Sequence, residues 1–213
     1  MTTNFGSVTC RTRILRRLVI MGMSLTAFSL GWLGGYDACW PPDSQREEPT
    51  VGATIDAVVE RIIGVESDGD PNATNKRSSA TGLGQFLDET WLDMIRAHRP
   101  DLAKGRSQPE ILELRRDAKI AREITARFTE RNAGMLIKRG LPVTPGTLYL
   151  AHFAGGAGAV AILSATENAD AALVMATADA TGRTKREKIV KANPFLERFT
   201  VADLTTWADR KMR

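Results

Sequence analysis

Apolar and polar positions follow three regimes along the chain. Leu18 to Tyr36 carries no charge and is about as long as a membrane-spanning helix requires. Pro41 to Pro49 is polar and Pro-rich, the composition of a linker. From Thr54 the apolar residues recur at helical spacing: Ile55, Val59 and Ile62 form a stripe that reaches Glu66, flanked by Val58 and Ile63. A long loop from Ser67 to Ala80 follows, with Gly69, Pro71, Asn72 and Asn75 as turn formers.

Helical spacing then returns. Asp88 is placed to cap a helix with Trp91, Leu92 and Ile95 inward. Ser107-Gln108-Pro109-Glu110 reads as a capping box. Beyond it Ile120, Ile124 and Phe128 continue a helical stripe, through Met135 and Leu136, until Gly140 stops it. Thr144-Pro145 opens a helix over Gly146 to Phe153, which Gly155, Gly156 and Gly158 are expected to break before a small-residue helix from about Ala159 to Ala165. A short helix spans Asp170 to Ala176, Thr181 to Arg186 is an exposed loop, and Thr200 caps a last helix with Leu204 and Trp207 inward. No segment alternates at period two for long, so the expected class is all-α. The organisation is a signal or anchor over residues 1–36, a linker over 37–53 and one domain over 54–213.

Charge sharpens that division. Of the 29 Lys and Arg, four (Arg11, Arg13, Arg16 and Arg17) precede Tyr36, where there is no acid; the 25 that remain match the 25 Asp and Glu. The net charge of +4 therefore belongs to the amino-terminal segment. The neutral remainder gives no argument for a nucleic-acid partner. Arginines before an apolar run mark an export signal and hold that end in the cytoplasm. Two outcomes stand open: cleavage after Ala27-Phe28-Ser29, or retention of residues 18–36 as an inner-membrane anchor. Either places the domain in the periplasm or cell envelope. Cys10 and Cys39 flank the apolar run and make no disulfide framework. Ala38-Cys39 has part of a lipid-attachment pattern, but Tyr36 and Asp37 depart from it; an unpaired thiol is the plainer reading.

The candidate chemistry centres on Glu66. It falls on the apolar face at the carboxyl end of its helix. Lost hydration and the negative end of the helix dipole both favour the protonated carboxyl that a general acid needs. Gly82 and Gly84 allow close backbone approach, and Gln85 offers donors and an acceptor suited to sugar hydroxyl and acetamido groups. Asp68 and Asp70 read as turn formers, His152 as a packed, satisfied histidine, and His98 as a surface residue. No metal-ligand spacing is present, and no cofactor is implied.

Glu66-Ser67, Gly69, Pro71, Ala73, Ser79-Ala80, Gly82-Leu83-Gly84-Gln85 and Phe86 together resemble the signature of the soluble lytic transglycosylases. These are glycoside hydrolases of family twenty-three, with the goose-type lysozyme fold. A second block, Leu150 to Gly156, stands where that family usually has Ala-Tyr-Asn-Ala-Gly, and here His152 and Phe153 replace the Tyr and Asn. The resemblance covers most of Thr54 to about Leu163, and Asn193-Pro194-Phe195 resembles a late loop in some relatives.

The resemblance implies that Glu66 is the catalytic acid and then the base. It implies substrate contacts from Ser67, Gln85 and Phe86, with backbone from Gly82 and Gly84, and from His152 and Phe153 in the second block. Tyr149, one turn before Phe153, is placed to supply a phenol in place of the missing Tyr. The implied substrate is the glycan strand of peptidoglycan, cleaved between N-acetylmuramic acid and N-acetylglucosamine with 1,6-anhydro ends, and envelope assembly or secretion machinery is a possible recruiting partner. Two other readings stay open: a hydrolytic muramidase, with Asp68 or Asp70 assisting water, and a non-catalytic glycan-binding or assembly module, favoured only by the altered second block.

Overall fold

The structure is a computed structural model that describes residues 51–213. The amino-terminal signal or anchor, Cys10, Cys39 and the Pro-rich linker up to Thr50 lie outside the described residues. The described chain is all-α. Its helices are α1 (Val51–Ser67), α2 (Asp88–His98), α3 (Pro100–Ala103), α4 (Gln108–Glu113), α5 (Ala118–Lys138), α6 (Pro145–Ser164), α7 (Ala171–Thr177), α8 (Arg186–Ala192) and α9 (Val201–Lys211). Short 3-10 turns occupy Leu114–Arg116 and Pro194–Arg198. Among the described residues there is no strand; the β-type pairings are isolated bridges, two of which, Thr74 with Thr81 and Thr81 with Phe86, pin the long loop after α1.

Local chemistry sets most helix ends. Ser107, Thr144 and Thr200 each form a capping box, and Asp170 accepts from the Leu173 N–H at 2.8 Å. Past α5, Gly140 turns left-handed at φ 65°, and the Leu141 N–H returns to the Leu136 carbonyl at 3.0 Å.

Four expectations need correction. α1 already includes Val51–Ala53, which composition assigns to the linker. Asp88 is not a cap: Leu87 holds that position and Asp88 begins α2, its carboxylate turned to Arg115. Residues 181–185 are a loop, but Arg186, expected as its last residue, begins α8. The break expected in α6 is present but falls at Gly155 alone (φ 73°, ψ 158°), with Gly156 and Gly158 inside the resumed helix.

α6 is the central strut. By length and composition alone it could cross a membrane, yet half of it is buried inside this fold, against α5, α7 and α9. α1 serves two cores. Val58 and Ile62 pack with Leu148, Leu150, Ile162, Leu196 and Leu204 around α6 and α9. Val59 and Ile63, one position on, pack with Leu83, Phe86, Trp91, Ile95, Ile124 and Phe128 around α2 and α5. Full burial of such a side chain stabilises by about 1.5–3 kcal/mol, so both faces of α1 are fixed, and with them the position of its carboxyl end. Trp91 and Phe128 are buried; Trp207 is half-buried, and Met135, placed by its spacing on the inner stripe, is exposed.

Candidate functional site

α1 ends between the two cores. Its last turn carries Glu66 and Ser67, and the chain then reverses through left-handed Asp68 (φ 53°) and Gly69 (φ 78°). Glu66 is half-buried and lines a cavity of about 430 Å³. The cavity also brings in Gln85, Phe86, Phe128, His152 and Phe153, with Asn75, Ser78, Thr90 and Asn193 at its polar edges. Glu66 is the one carboxylate among these lining residues.

Tyr149 lies behind Glu66 on α6. It is 3 % exposed, and its ring packs 5.4 Å from that of Trp207. Burial first, then the negative charge of Glu66 and a hydrogen bond to it, push the phenol well above its ordinary pKa. The phenol therefore stays protonated and donates toward the Glu66 carboxylate. Phe153 extends this aromatic group, with ring centroids 5.0 Å from Trp207 and 6.0 Å from Phe195.

The loop between α1 and α2 forms the facing wall. Ser67, expected to touch substrate, turns its hydroxyl to the Leu83 carbonyl at 2.9 Å and the Ile63 carbonyl at 3.2 Å, and does not line the cavity. It ties the loop to the helix end. Gly82 and Gly84 are buried and act through what a side chain there would strike. A Cβ at Gly82, itself at φ +78°, would lie 2.1 Å from the Arg115 carbonyl oxygen. One at Gly84 would lie 2.7 Å from both the Phe86 ring and Thr125 Oγ1. Gln85 is left-handed (φ 47°), and its amide nitrogen donates to the Gly82 carbonyl at 2.9 Å and the Ala73 carbonyl at 3.2 Å. Asp70 takes the Asn72 N–H at 2.8 Å in a local turn, and Asp68 is exposed; neither lines the cavity.

His152 closes one side. It is packed, as its sequence context suggests, but only half satisfied: Nε2 meets the Gly84 carbonyl at 2.8 Å, while Nδ1 is covered and has no partner. The rings of Phe86 and Phe128 each stand edge-on to it, with centroids at 5.5 Å.

Two supporting residues escaped the sequence reading. Arg115, 7 % exposed, staples the loop. Its Nη1 donates to the Ser79 carbonyl (2.9 Å), the Phe86 carbonyl (3.0 Å) and Asp88 Oδ1 (2.7 Å), and its Nε to the Leu112 carbonyl (3.0 Å). Asn132, fully buried on α5, donates from Nδ2 to the Ala151 carbonyl at 3.2 Å, a helical acceptor whose usual partner would be Gly155, the kinked residue. Nothing in an Arg-Arg-Asp run or a lone mid-helix Asn signals burial; a buried partner only emerges from the fold. Compared with protein-family models and with curated proteins, the chain matches neither a family nor a relative.

Proposed function

We propose that this protein is a peptidoglycan lytic transglycosylase of lysozyme-like fold, acting from the periplasmic side of the envelope, and that Glu66 is its catalytic group. The observation that carries the reading is the position of Glu66: one carboxylate in an otherwise uncharged cavity lining, at a helix end, backed by a protonated phenol. The Glu-Ser, Gly-Leu-Gly-Gln signature supports it, since Glu66 and Gln85, one from each segment, both line this cavity.

A two-carboxylate glycosidase needs a second acid at about 5–9.5 Å. Asp68 and Asp70 lie off the cavity, which favours the single-acid route. In that route the Glu66 carboxyl protonates the oxygen bridging N-acetylmuramic acid to N-acetylglucosamine. The C1–O bond breaks with its electron pair going to that oxygen, and the muramoyl acetamido group stabilises the cation at C1. The Glu66 carboxylate then takes the proton of the muramoyl 6-hydroxyl as its oxygen attacks C1. The 1,6-anhydro ring closes, Glu66 is again protonated, and no water is consumed.

The test is release of soluble muropeptides from purified peptidoglycan by the full-length chain. The wild type is expected to release them. Glu66→Gln is expected to bind the wall and release none. Equal release by Glu66→Gln would overturn the reading, and binding without release by the wild type would leave a glycan-binding module.

A further inference from the structure

We propose that His152 is a positioning residue: its Nε2–H holds the Gly84–Gln85 turn so that Gln85 shows the cavity a hydrogen-bond acceptor and no donor. A carbonyl oxygen only accepts, so the 2.8 Å contact with Gly84 requires the proton on Nε2. In the neutral ring Nδ1 is then the bare nitrogen, and it is covered without a partner. The edge-on rings of Phe86 and Phe128, inclined at 72° and 81°, grip the imidazole and keep it from turning to exchange its nitrogens.

What His152 grips is a turn under constraint. A Cβ on Gly84 would strike both the Phe86 ring and Thr125 Oγ1. Gln85 follows in the left-handed region, a conformation that costs a non-glycine residue about 1–2 kcal/mol and persists only where its surroundings enforce it. The enforcing contacts are the Gly84 carbonyl held by His152 and the Gln85 amide nitrogen held by the Ala73 and Gly82 carbonyls. Both N–H bonds of that amide are engaged, so Oε1 is the group left for a ligand. The cavity wall therefore selects a ligand that presents an N–H or O–H at this point. The identity of that ligand as an acetamido N–H or hydroxyl of an amino-sugar strand rests on the proposed function; the clamp itself does not.

The experiment is amide hydrogen exchange over residues 81–86 in the full-length chain, with His152→Phe and His152→Gln, alongside affinity for an N-acetylglucosamine tetramer. His152→Phe keeps a ring but loses the donor. Loss of one tethering hydrogen bond is expected to speed exchange in 81–86 about tenfold with α2 and α5 unchanged, and to weaken tetramer binding about as much. His152→Gln restores an amide N–H and is expected to recover both to within about threefold. Joined to Gln85→Ala, His152→Phe should cause no further loss of affinity, because the clamp acts through Gln85. Unchanged exchange in His152→Phe, or faster exchange spread through α2 and α5 in both variants, overturns the proposal. A wild type that ignores the tetramer removes the glycan reading, while the exchange result still decides the clamp.

Discussion

The two faces of α1 meet cores held together by different physics. On the side of α6 and α9 the packing is helix on helix, with Ile162, Leu196 and Leu204 fully buried. On the side of α2 and α5 a loop joins the helices through Leu83 and Phe86, and it is fixed by polar staples: Arg115, Ser67 and His152 each donate to a backbone carbonyl. The contrast teaches where the precision of the site resides. The helical core fixes where Glu66 stands; the stapled loop fixes what faces it.

Substitutions can separate the two. The largest effect is expected from Arg115→Met, which strands the Ser79 and Phe86 carbonyls and Asp88 without their donor. Each buried carbonyl left without its donor costs about 1–3 kcal/mol. Denaturant unfolding should report the loss, and hydrogen exchange should place it in the loop. Leu204→Ala is expected to cost about 3 kcal/mol on the helical side, with loop exchange unchanged at temperatures where the protein stays folded.

Tyr149→Phe comes next. On the proposed mechanism it lowers cleavage about tenfold, the worth of one hydrogen bond to a charged group, with little change in melting temperature at neutral pH. It should also change the alkaline limb. A phenol whose pKa is raised by folding contributes stability that is fully present below its unfolded value of about 10 and is lost as pH rises toward the folded value. The melting temperature of the wild type should therefore fall above about pH 10, and that of Tyr149→Phe less steeply.

The smallest effect lies in the helical half. Burial alone would raise the Asp170 carboxyl, but the Leu173 N–H and the Arg186 guanidinium at 2.7 Å bring it below the ordinary carboxylate range. Its contribution is present above the unfolded value and lost as pH falls through the depressed one. Asp170→Asn should thus cost about 0.5–1 kcal/mol near neutral pH and nothing once both carboxyl states are protonated.

The same contrast divides what the sequence discloses. Helical stripes and caps are local signals, so α5, the Ser107 box, the Thr200 cap and the end at Gly140 read directly from spacing and residue type. The apolar partition of α1 is legible as a stripe, though not its division between two cores. Of the candidate site residues, Glu66, Gln85, Phe86, His152 and Phe153 line one cavity in the structure. The family resemblance places Ser67, Gly82 and Gly84 at the groove. Their actual contacts, with Leu83, Arg115 and Thr125, are long-range in sequence and carry no local signal. Arg115 was invisible for the same reason, and Asp88 resembled a cap because its partner lies 27 residues away.

In the proposed mechanism Glu66 performs the acid and base steps alone, with the glycan's own hydroxyl as nucleophile. The most direct test is the mass of the products that the full-length chain releases from purified peptidoglycan. The account predicts muropeptides lighter by one water than hydrolytic products, and none from Glu66→Gln. Products carrying reducing ends and the full mass of added water would contradict it and require a second group to deliver that water.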